Sequence, residues 1–348
     1  MDSGTQMEGD DLRRCADACA HRALQKHGCD NSTLSLVTKE VDTLTVASVT
    51  SGARHNAAIN YYLEATLAPN TIRAYQSDLR MFLQWGASIP CSPEDLASYL
   101  ADQASVLSPF TLARRLSAIR RAHKLFEMAD PTAHPLVSNV MRGMWRRHGR
   151  LQRQARTLHL HELSQMLPAM LGRKGARDRA LILLGFRAAL RRSELCNLNV
   201  EDLGVSEEGV LLHIRQSKTD QQSKGRAIAI PFAKNGPCAV RSLLTWLEES
   251  HVVAGAVFPS IDRGGRLKGR LPAQAISAIL CRYARAVGVE ACGLSAHSLR
   301  AGFVTTAARA GVSMDAIQRQ TGHRSIEMVY RYVRTGNPFS GNANEAIS

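Results

Sequence analysis

Residues 295–334 read SAHSLRAGFVTTAARAGVSMDAIQRQTGHRSIEMVYRYVR and carry the strongest indication of how this chain folds and works. Two histidines, an arginine and a tyrosine fall within 36 positions: His297, Arg300, His323 and Tyr332. His297 and Arg300 are three residues apart on a predicted helix, so their side chains share one face. A single H-x-x-R pattern is weak evidence alone, and its value depends on the residues around it.

The same stretch is punctuated as three short helices. The first is predicted to end by Gly311, and Ser313 with Asp315 opens the second. Gly322 and the histidine after it form a predicted turn, and Ser325 caps the third helix. The stretch therefore predicts consecutive helices that carry chemically active side chains.

Two tyrosines in the last helix compete for a functional role. Ile326, Val329, Tyr330 and Val333 have the spacing of an apolar stripe, which predicts core packing for Tyr330. Tyr332 lies about 120° from that stripe at 100° per residue. Periodicity alone therefore favours Tyr332 modestly as the tyrosine that faces a ligand.

Two further basic residues lie upstream. Arg191 belongs to LRRSEL, and Lys218 belongs to QSKTD, in the polar turn between predicted strands at 209–214 and 226–230. Lys224, in the same turn, is the reserve candidate. Two arginines, two histidines, a lysine and a tyrosine are the parts needed to break a phosphodiester without a metal.

Each of these residue types has a chemical reason to be present. Planar guanidinium groups clamp the developing negative charge on a phosphate through paired hydrogen bonds. A lysine or histidine can protonate the leaving 5′-oxygen, and a tyrosine hydroxyl can act as the nucleophile. Singly, each has an ordinary alternative: an Arg191–Glu194 salt bridge, a buried His297, a solvated Lys218. Jointly, their types and order make coincidence improbable.

The order of these motifs resembles that of the tyrosine recombinases, the phage integrase family, which carry R-x-S-E-L-like, H-x-x-R, G-H and terminal tyrosine motifs. The resemblance covers roughly residues 55–335 and is stronger in the C-terminal half. VMRGMWRRHGR and RAGFVTTAARAGVSMDAIQRQ look especially like the Cre-type branch. One departure from the family pattern is that no long terminal helix is obvious after Tyr332. This departure bears on how neighbouring subunits would dock.

The resemblance implies a catalytic role for each matching position. Those positions are Arg191, Glu194, Lys218, His297, Arg300, His323 and Tyr332. Arg191, rather than Arg192 or Arg187, takes the first clamp position, and Tyr332 stands nine residues after His323, as the family tyrosine usually does. Arg191 and Arg300 would hold the non-bridging oxygens with help from His323, while Glu194 supports the site. Lys218 would be the general acid, and His297 would handle the tyrosine proton.

The resemblance also implies an activity and partners. Tyr332 would attack the scissile phosphate, leaving a 3′-phosphotyrosine and a free 5′-hydroxyl, and the 5′-hydroxyl of another strand would complete the exchange. The partner would be double-stranded DNA, bound by a tetramer on two sites with possible accessory DNA-bending or directionality factors. No nucleotide, metal or other cofactor is implied. The alternatives are DNA relaxation of the type IB topoisomerase kind and a catalytically silent DNA-binding regulator.

The charge distribution favours a polyanionic partner. The net charge of the 348 residues is +14. Residues 1–50 hold eight acidic and five basic side chains, so the remainder carries +17. The basic charge is thus concentrated in the part that carries the motifs.

Three amphipathic helices are predicted before residue 130. The first follows Pro69 with an Ile72, Tyr75, Leu79 and Phe82 stripe, and the second opens with Ser92, Pro93 and a near capping box at Asp95. The third opens at Ser108-Pro109 and is expected to bury Leu112, Leu116 and Ile119. Its basic side chains fall on the opposite face, where DNA contact is the favoured interpretation over mere solvation: Arg114, Arg121 and Lys124.

Residues 142–156 read RGMWRRHGRLQRQAR and are predicted to be the linker between two domains. Gly143 and Gly149 are expected to interrupt helical continuity. Six arginines suit a strap along phosphates, although a simple flexible connector would look similar. They are Arg142, Arg146, Arg147, Arg150, Arg153 and Arg156.

The predicted fold class is mainly α, with a helical SAM-like core-binding domain and a mostly helical α+β catalytic domain that contains a small sheet. The expected parts are a variable leader at 1–54, the core-binding domain at 55–141, the linker at 142–156, the catalytic domain at 157–335 and a tail at 336–348. His161-Glu162 and Asp178 are expected to begin helices.

The cysteine pattern and the hydropathy indicate an intracellular protein. Eight cysteines without a CxxC pair suggest a reduced protein in the cytoplasm, associated with the nucleoid. A zinc site in the leader is an unfavoured alternative, with Cys15, Cys19, His21, His27 and Cys29 as its ligands. No targeting signal or membrane span is expected, since the most apolar run, 181–190, is short and contains Arg187.

Overall fold

A computed structural model of the chain describes residues 67–125, 127–149, 155–215 and 225–333. The chain divides into two compact units, Met1–Gln152 and Arg153–Ser348. Several predictions fall outside the described residues: the leader at 1–54, the start of the core-binding domain, the tail at 336–348, and the residues Lys218, Lys224, Arg150, Arg153 and the five candidate zinc ligands.

The first unit is helical throughout its described part. Its helices are α1 (Pro69–Gln84), α2 (Pro93–Gln103), α3 (Pro109–Leu125) and α4 (Pro135–His148), with a 3₁₀ turn at Pro131–Ala133. The predicted N-terminus of α2 is confirmed: Ser92 accepts from the Asp95 backbone N–H, and the Asp95 carboxylate returns to the Ser92 N–H in a capping box. Each helix begins at a proline, whose fixed φ suits the first helical turn.

The core of this unit confirms most of the predicted apolar stripes. Leu79, Phe82, Leu112 and Ile119 are buried, and Leu116 packs against them from a partly buried position. The stripes identify the right faces because burial of one face gives these helices most of their stability.

The prediction that Gly143 interrupts a helix is wrong. Helix α4 continues through Gly143 to His148 and is capped by Gly149. Met141 and Met144 on this helix are buried in the core. A glycine within a helix costs about 1 kcal/mol, which burial of two methionines outweighs because each buried methionine contributes roughly 1.5–3 kcal/mol.

The second unit is mostly helical with two small antiparallel sheets in its described part. Its helices are α5 (Leu160–Met166), α6 (Gly172–Arg187), α7 (Arg192–Asn197), α8 (Ala239–Ser250), α9 (Ala275–Ala286), α10 (Ala296–Arg309), α11 (Met314–Thr321) and α12 (Ile326–Val333). Its strands are β1 (Leu203–Val205), β2 (Gly209–Ile214), β3 (Arg226–Pro231), β4 (Pro259–Ile261) and β5 (Leu267–Arg270). The mainly helical fold class with a small sheet is confirmed.

The predicted pair of strands belongs to a larger sheet. Strand β2 pairs antiparallel with β3, with Leu212 opposite Ile228, and also with β1, which the sequence analysis did not anticipate. The β4–β5 hairpin was also missed. Both missed elements contain strands of only three or four residues, too short to show a period-2 pattern.

Helix α10 carries two of the predicted site residues and lies close to the backbone at Leu158. Gly302 permits this approach, because a Cβ at that position would lie 2.1 Å from the Leu158 carbonyl oxygen. The Leu158 N–H donates to the Ser298 carbonyl of the same helix at 3.3 Å. These contacts, together with packing against α6, hold α10 in place.

A buried ion network ties α6 to α9. Asp178, with no solvent exposure, lies inside α6 instead of beginning it as predicted. Its carboxylate accepts from Arg177 at 2.6 and 2.9 Å, from Arg282 at 2.6 Å and from the Tyr283 hydroxyl at 3.0 Å. Four donor groups thus satisfy the oxygens of this buried side chain.

We expect Asp178→Asn to destabilise the chain by about 3–5 kcal/mol, because it leaves the buried Arg177 guanidinium without its counter-charge. Asp315→Asn is the matched control: the pair of Asp315 with Arg319 is exposed, and such pairs are worth about 0–1 kcal/mol. Scanning calorimetry of the full chain measures both. Equal effects of the two variants would contradict a structural role for the network.

None of the helices in the described ranges combines the length and the apolar character that a bilayer crossing requires.

Candidate active site

Glu194 organises two arginines at the N-terminus of α7. Its Oε1 accepts from Arg191 Nη1 at 2.6 Å, and its Oε2 accepts from the Arg191 backbone N–H at 3.0 Å and from Arg226 Nη2 at 2.9 Å. The Glu194 side chain is almost fully buried. Burial would raise the pKa of this carboxyl, but Arg226 and Arg191 outweigh burial and lower it. Glu194 is therefore an ionised brace between two cations.

Arg191 reaches the turn between α11 and α12, and Arg226 reaches the C-terminal end of α11. Arg191 Nη2 donates to the Gly322 carbonyl at 3.1 Å, and Arg226 Nη1 donates to the Gln320 carbonyl at 2.9 Å. Gly322 has a left-handed φ of 63°, and a Cβ there would lie 2.7 Å from Arg226 Nη1. Glycine is thus needed both for the backbone conformation and for the approach of the guanidinium.

Arg300 enters the site from α10 and is 2 % exposed. Its Nη1 donates to the Ala189 carbonyl at 2.7 Å, and that residue adopts a left-handed φ of 51° just before Arg191. Its Nη2 is buried and makes no hydrogen bond within the part of the chain that the structure describes. A buried guanidinium edge with an unused donor is suited to an anionic oxygen, since such a donor is costly to leave unpaired.

Tyr332 lies between the two predicted histidines. Its hydroxyl is 2.6 Å from His297 Nε2, and the ring centroids of His297 and His323 are each 5.6 Å from the centroid of the tyrosine ring. The ring also packs on the small cluster of Val304, Ile317 and Val329. The hydroxyl therefore lies in direct reach of a base.

The prediction that Tyr330 packs in the core is wrong, because its side chain is 44 % exposed. Among the described elements, helix α12 packs against α10 and α11. The packed face carries Val329 and Tyr332, which are one helical turn apart. The buried face therefore shares Val329 with the predicted stripe but turns towards Tyr332 and away from Tyr330.

His323 is nearly buried in the turn between α11 and α12. It is 7 % exposed, its carbonyl accepts from Gln318 Nε2 at 3.1 Å, and its Nδ1 is 2.7 Å from the Thr321 hydroxyl. The turn that follows α11 is thus held by side-chain contacts from the same helix.

The pKa shifts in the site follow from burial among positive charges. Burial, Arg300 and Arg191 lower the pKa of both histidines, that of His323 to about 3. Burial also lowers the pKa of Arg300, to about 10, so it stays charged. Burial raises the pKa of the Tyr332 hydroxyl, and Arg300 and Arg191 offset this only partly.

These shifts define the protonation states at neutral pH. His297 keeps a solvent-exposed side, but the desolvation of its ring leaves it neutral and able to accept a proton. Tyr332 is protonated and can give one up. The arrangement thus places a hydroxyl nucleophile, a neutral base and a two-arginine cradle around one point.

The structure brings six of the seven predicted catalytic residues together: Arg191, Glu194, His297, Arg300, His323 and Tyr332. Lys218 lies outside the described residues, as does its reserve, Lys224. Arg192, the neighbouring candidate for the first clamp, is exposed.

The predicted DNA-binding residues are distributed unevenly. Arg142, Arg146 and Arg147 are exposed on α4, and Lys124 is exposed and Arg121 half-buried on α3. Arg114 donates to both carboxylate oxygens of Asp78 at 2.7 and 2.9 Å, so its charge is already paired.

Arg156 has a different environment from the one predicted. It pairs with Glu162 in the second unit, and its backbone N–H donates to the Gly293 carbonyl at 3.2 Å. Its side chain is therefore engaged within the protein, whereas a strap along phosphates requires a free guanidinium. Phosphate binding by Arg156 stays a prediction.

Sequence reasoning missed Arg226 and Thr321. A signal existed for Arg226, because it shares a strand face with the buried Ile228 and Ile230, and an inward arginine needs a partner. Thr321 gave no signal, since a threonine at the end of a helix is ordinary.

Two family models match the chain. The one described as "Phage integrase family" matches residues 156–337, and the one described as "Phage integrase, N-terminal SAM-like domain" matches residues 59–127. Together they span both compact units.

Among curated proteins, the integrase/recombinase xerD homolog of Selenomonas ruminantium is 35 % identical over 293 residues, covering 81 % of this chain and 86 % of the relative. The tyrosine recombinase XerA of Thermococcus kodakarensis is 28 % identical over 270 residues, covering 77 % and 85 %.

Two solved structures share the fold at low identity. XerH bound to a palindromic difH substrate has a TM-score of 0.57 and 14 % identity, covering 96 % of this chain and 94 % of that chain. A lambda integrase dimer bound to a COC′ core site has a TM-score of 0.56 and 16 % identity, covering 81 % and 82 %.

Proposed function

Since this chain belongs to the phage integrase family, we propose that it is a site-specific DNA recombinase that cleaves and rejoins duplex DNA through a 3′-phosphotyrosine at Tyr332. One observation carries the proposal: the Tyr332 hydroxyl lies 2.6 Å from a neutral His297, beside Arg300, whose buried Nη2 is unused within the described residues.

In the first step the Tyr332 oxygen attacks the scissile phosphorus and His297 Nε2 takes the hydroxyl proton. The bond to the 5′-oxygen breaks, and Lys218, in the turn between β2 and β3, is proposed to protonate that oxygen. The product is a 3′-phosphotyrosine and a free 5′-hydroxyl. The 5′-hydroxyl of another strand then attacks the phosphotyrosine, which restores Tyr332 and joins the strands.

The negative charge of the transition state is met by Arg191 and Arg300. Arg300 would donate through Nη2, unused within the described residues, and Arg191 through N–H groups that its bonds to Glu194 and Gly322 do not occupy, as a metal-free clamp requires. Glu194 holds Arg191 in place through the hydrogen bond from Arg191 Nη1 to its Oε1. A donor prepositioned in this way acts without reorganisation during the reaction.

The basic surface of the first unit is proposed to bind the DNA backbone. Arg142, Arg146 and Arg147 on α4, with Lys124 on α3, are exposed donors for phosphate contacts. The proposed organisation keeps the domain boundaries predicted from the sequence, a tetramer on two sites and accessory factors. Placement in the Cre-type branch also stays a prediction, since the relatives named above are of the Xer type.

Covalent trapping tests the function. The wild-type chain is incubated with nicked duplexes taken from DNA that flanks its own gene, and an SDS-resistant adduct is expected. The released strand should carry a 5′-hydroxyl that polynucleotide kinase labels without prior phosphatase treatment. Tight DNA binding without an adduct would instead indicate the silent regulator, and relaxation of supercoils without strand exchange would indicate the topoisomerase alternative.

A further inference from the structure

The Thr321 hydroxyl makes two short contacts, and protons can be assigned to both in only one way. Its oxygen is 2.7 Å from the Ile317 carbonyl oxygen and 2.7 Å from His323 Nδ1. A third partner, the Gln318 carbonyl oxygen, is farther away at 3.3 Å. A carbonyl oxygen cannot donate, so the hydroxyl proton must point to these backbone carbonyls, of which Ile317 is the nearer. If it pointed to His323 instead, two oxygens would lie 2.7 Å apart with no proton between them.

The second contact then needs a proton from the histidine. Nδ1–H of His323 must donate to the Thr321 oxygen, which accepts through a lone pair. In a neutral ring this places the lone pair on Nε2. Thr321 is fully buried, and His323 nearly so, which makes an unsatisfied contact costly. The hydroxyl therefore selects the tautomer of the ring.

This tautomer has the wrong polarity for the role that the family resemblance implies for His323, which is to help Arg191 and Arg300 at the non-bridging oxygens. A group that assists at a phosphate oxygen must donate a hydrogen bond, whereas Nε2 with a lone pair can only accept. Nε2 could donate only if the ring took up a second proton, or if Thr321 gave up its bond to Ile317.

The charges around the ring oppose the second proton while the site is empty. Its neighbours are His297 and Arg300 from α10, Arg191 from the start of α7, Arg226 from β3 and the Tyr332 hydroxyl from α12. Glu194 offsets part of this charge through its pairs with Arg191 and Arg226. Burial is the largest cause that lowers the pKa of His323, and the charges of Arg300, Arg191 and Arg226 add to it. Together they bring this pKa to about 3. A phosphate between the arginines would reverse the local balance, since an anion nearby favours the charged ring.

We infer that Thr321 is a positioning residue that holds His323 as the Nδ1–H tautomer, so that the ring donates to the scissile phosphate only after it takes up a proton when that phosphate binds. The inference rests on the proposed function for the identity of the anion. It makes engagement of His323 conditional on DNA and predicts that its contribution to cleavage fades as the pH rises.

The tautomer is measured directly in the free protein. Long-range ¹⁵N–¹H correlation of the full chain labelled with [¹⁵N]histidine reports which ring nitrogen carries the proton, with His323 assigned by its loss in His323→Gln. The expected result at pH 7 is Nδ1–H in wild type and in Thr321→Ser. Finding Nε2–H in the wild-type protein would overturn the inference. No DNA is needed, so this result is independent of whether the proposed function is right.

The anion dependence uses sulfate as the probe, because it does not titrate near neutral pH. The pKa of His323, followed by the same signals, should rise by at least one unit in sodium sulfate relative to sodium chloride at equal ionic strength. Equal pKa values for His323 in the two salts, with chemical-shift changes that show sulfate bound at Arg300, would contradict proton uptake.

The functional consequence appears in the pH profile of adduct formation. Thr321→Val keeps the side-chain volume and removes the hydroxyl, so the neutral ring is free to carry its proton on Nε2 and donate at any pH. The ratio of the Thr321→Val rate to the wild-type rate should then rise about tenfold between pH 6 and 8.5. This is smaller than the ~10²-fold effect on rate that one such hydrogen-bond donor provides. Thr321→Ser should follow the wild-type profile.

Parallel profiles for Thr321→Val and wild type would show that the hydroxyl does not set the proton position during catalysis and would overturn this part of the inference. The absence of any adduct from wild type at every pH would count against the proposed function instead, and the tautomer measurement would still decide the role of Thr321.

Discussion

Tyr332→Phe is expected to reduce covalent adduct formation by at least ~10⁴-fold, because removal of a nucleophile leaves only the rate that binding and charge stabilisation provide. The phenyl ring can keep its packing on Val304, Ile317 and Val329. The hydroxyl and its hydrogen bond to His297 are lost, a change of about 1 kcal/mol in stability. DNA binding, measured by mobility shift, should therefore be retained while the adduct disappears.

Tyr330→Phe is the matched control on the same helix. Tyr330 lies two residues before Tyr332 and its side chain is exposed. Removal of its hydroxyl should therefore leave the adduct yield within about twofold of wild type. An adduct that survives in Tyr332→Phe and is lost in Tyr330→Phe would assign the nucleophile to Tyr330 and refute the site described above.

The second large effect concerns the buried clamp. Arg300→Lys keeps a positive charge but loses the planar fork that reaches both the Ala189 carbonyl and the anion position. We expect a ~10²–10³-fold slower single-turnover rate of adduct formation, the range for removing one preorganised donor from a transition-state oxygen. The rate is compared at saturating protein so that weaker DNA binding does not contribute.

Arg309→Lys controls for the loss of an arginine from the same helix. Arg309 is exposed at the end of α10, and its replacement should leave the rate near that of wild type. If Arg300→Lys were as active as Arg309→Lys, Arg300 would serve the fold through Ala189 and would not contact the phosphate.

Sequence patterns predicted the local structure well where the signal lay within one helix or strand. The capping box at Ser92 depends on a serine, a proline and an aspartate within four residues, and such contacts form wherever the helix forms. The β2 and β3 strands followed from runs of alternating or apolar β-formers. Strands β1, β4 and β5 were missed because their pairing partners, not their own residues, define them.

Periodicity failed where packing was one-sided. The predicted stripe of α12 included both Val329 and Tyr330, but the neighbours of this helix cover Val329 and Tyr332 and leave Tyr330 exposed. The prediction of a helix break at Gly143 was wrong for a related reason. The cost of a glycine to helix stability is smaller than the free energy gained by burying Met141 and Met144.

The chain by itself determined which residue types are available and in what order. The arrangement LRRSEL, HSLR, TGH and a final tyrosine was enough to indicate the family and to select Tyr332, Arg191 and Arg300. Such motifs can be recognised in a sequence because the chemically active residues of each motif lie within a few positions of one another.

Only the tertiary structure decided how these motifs act on one another. It showed that Glu194 braces two arginines from different elements, that Arg300 reaches across to the Ala189 carbonyl, and that the Thr321 hydroxyl lies 2.7 Å from His323 Nδ1. These properties depend on distances between residues up to 111 positions apart, from Ala189 to Arg300. Burial makes each unpaired donor or acceptor costly, so the direction of every hydrogen bond in the site follows from the packing and not from the local sequence.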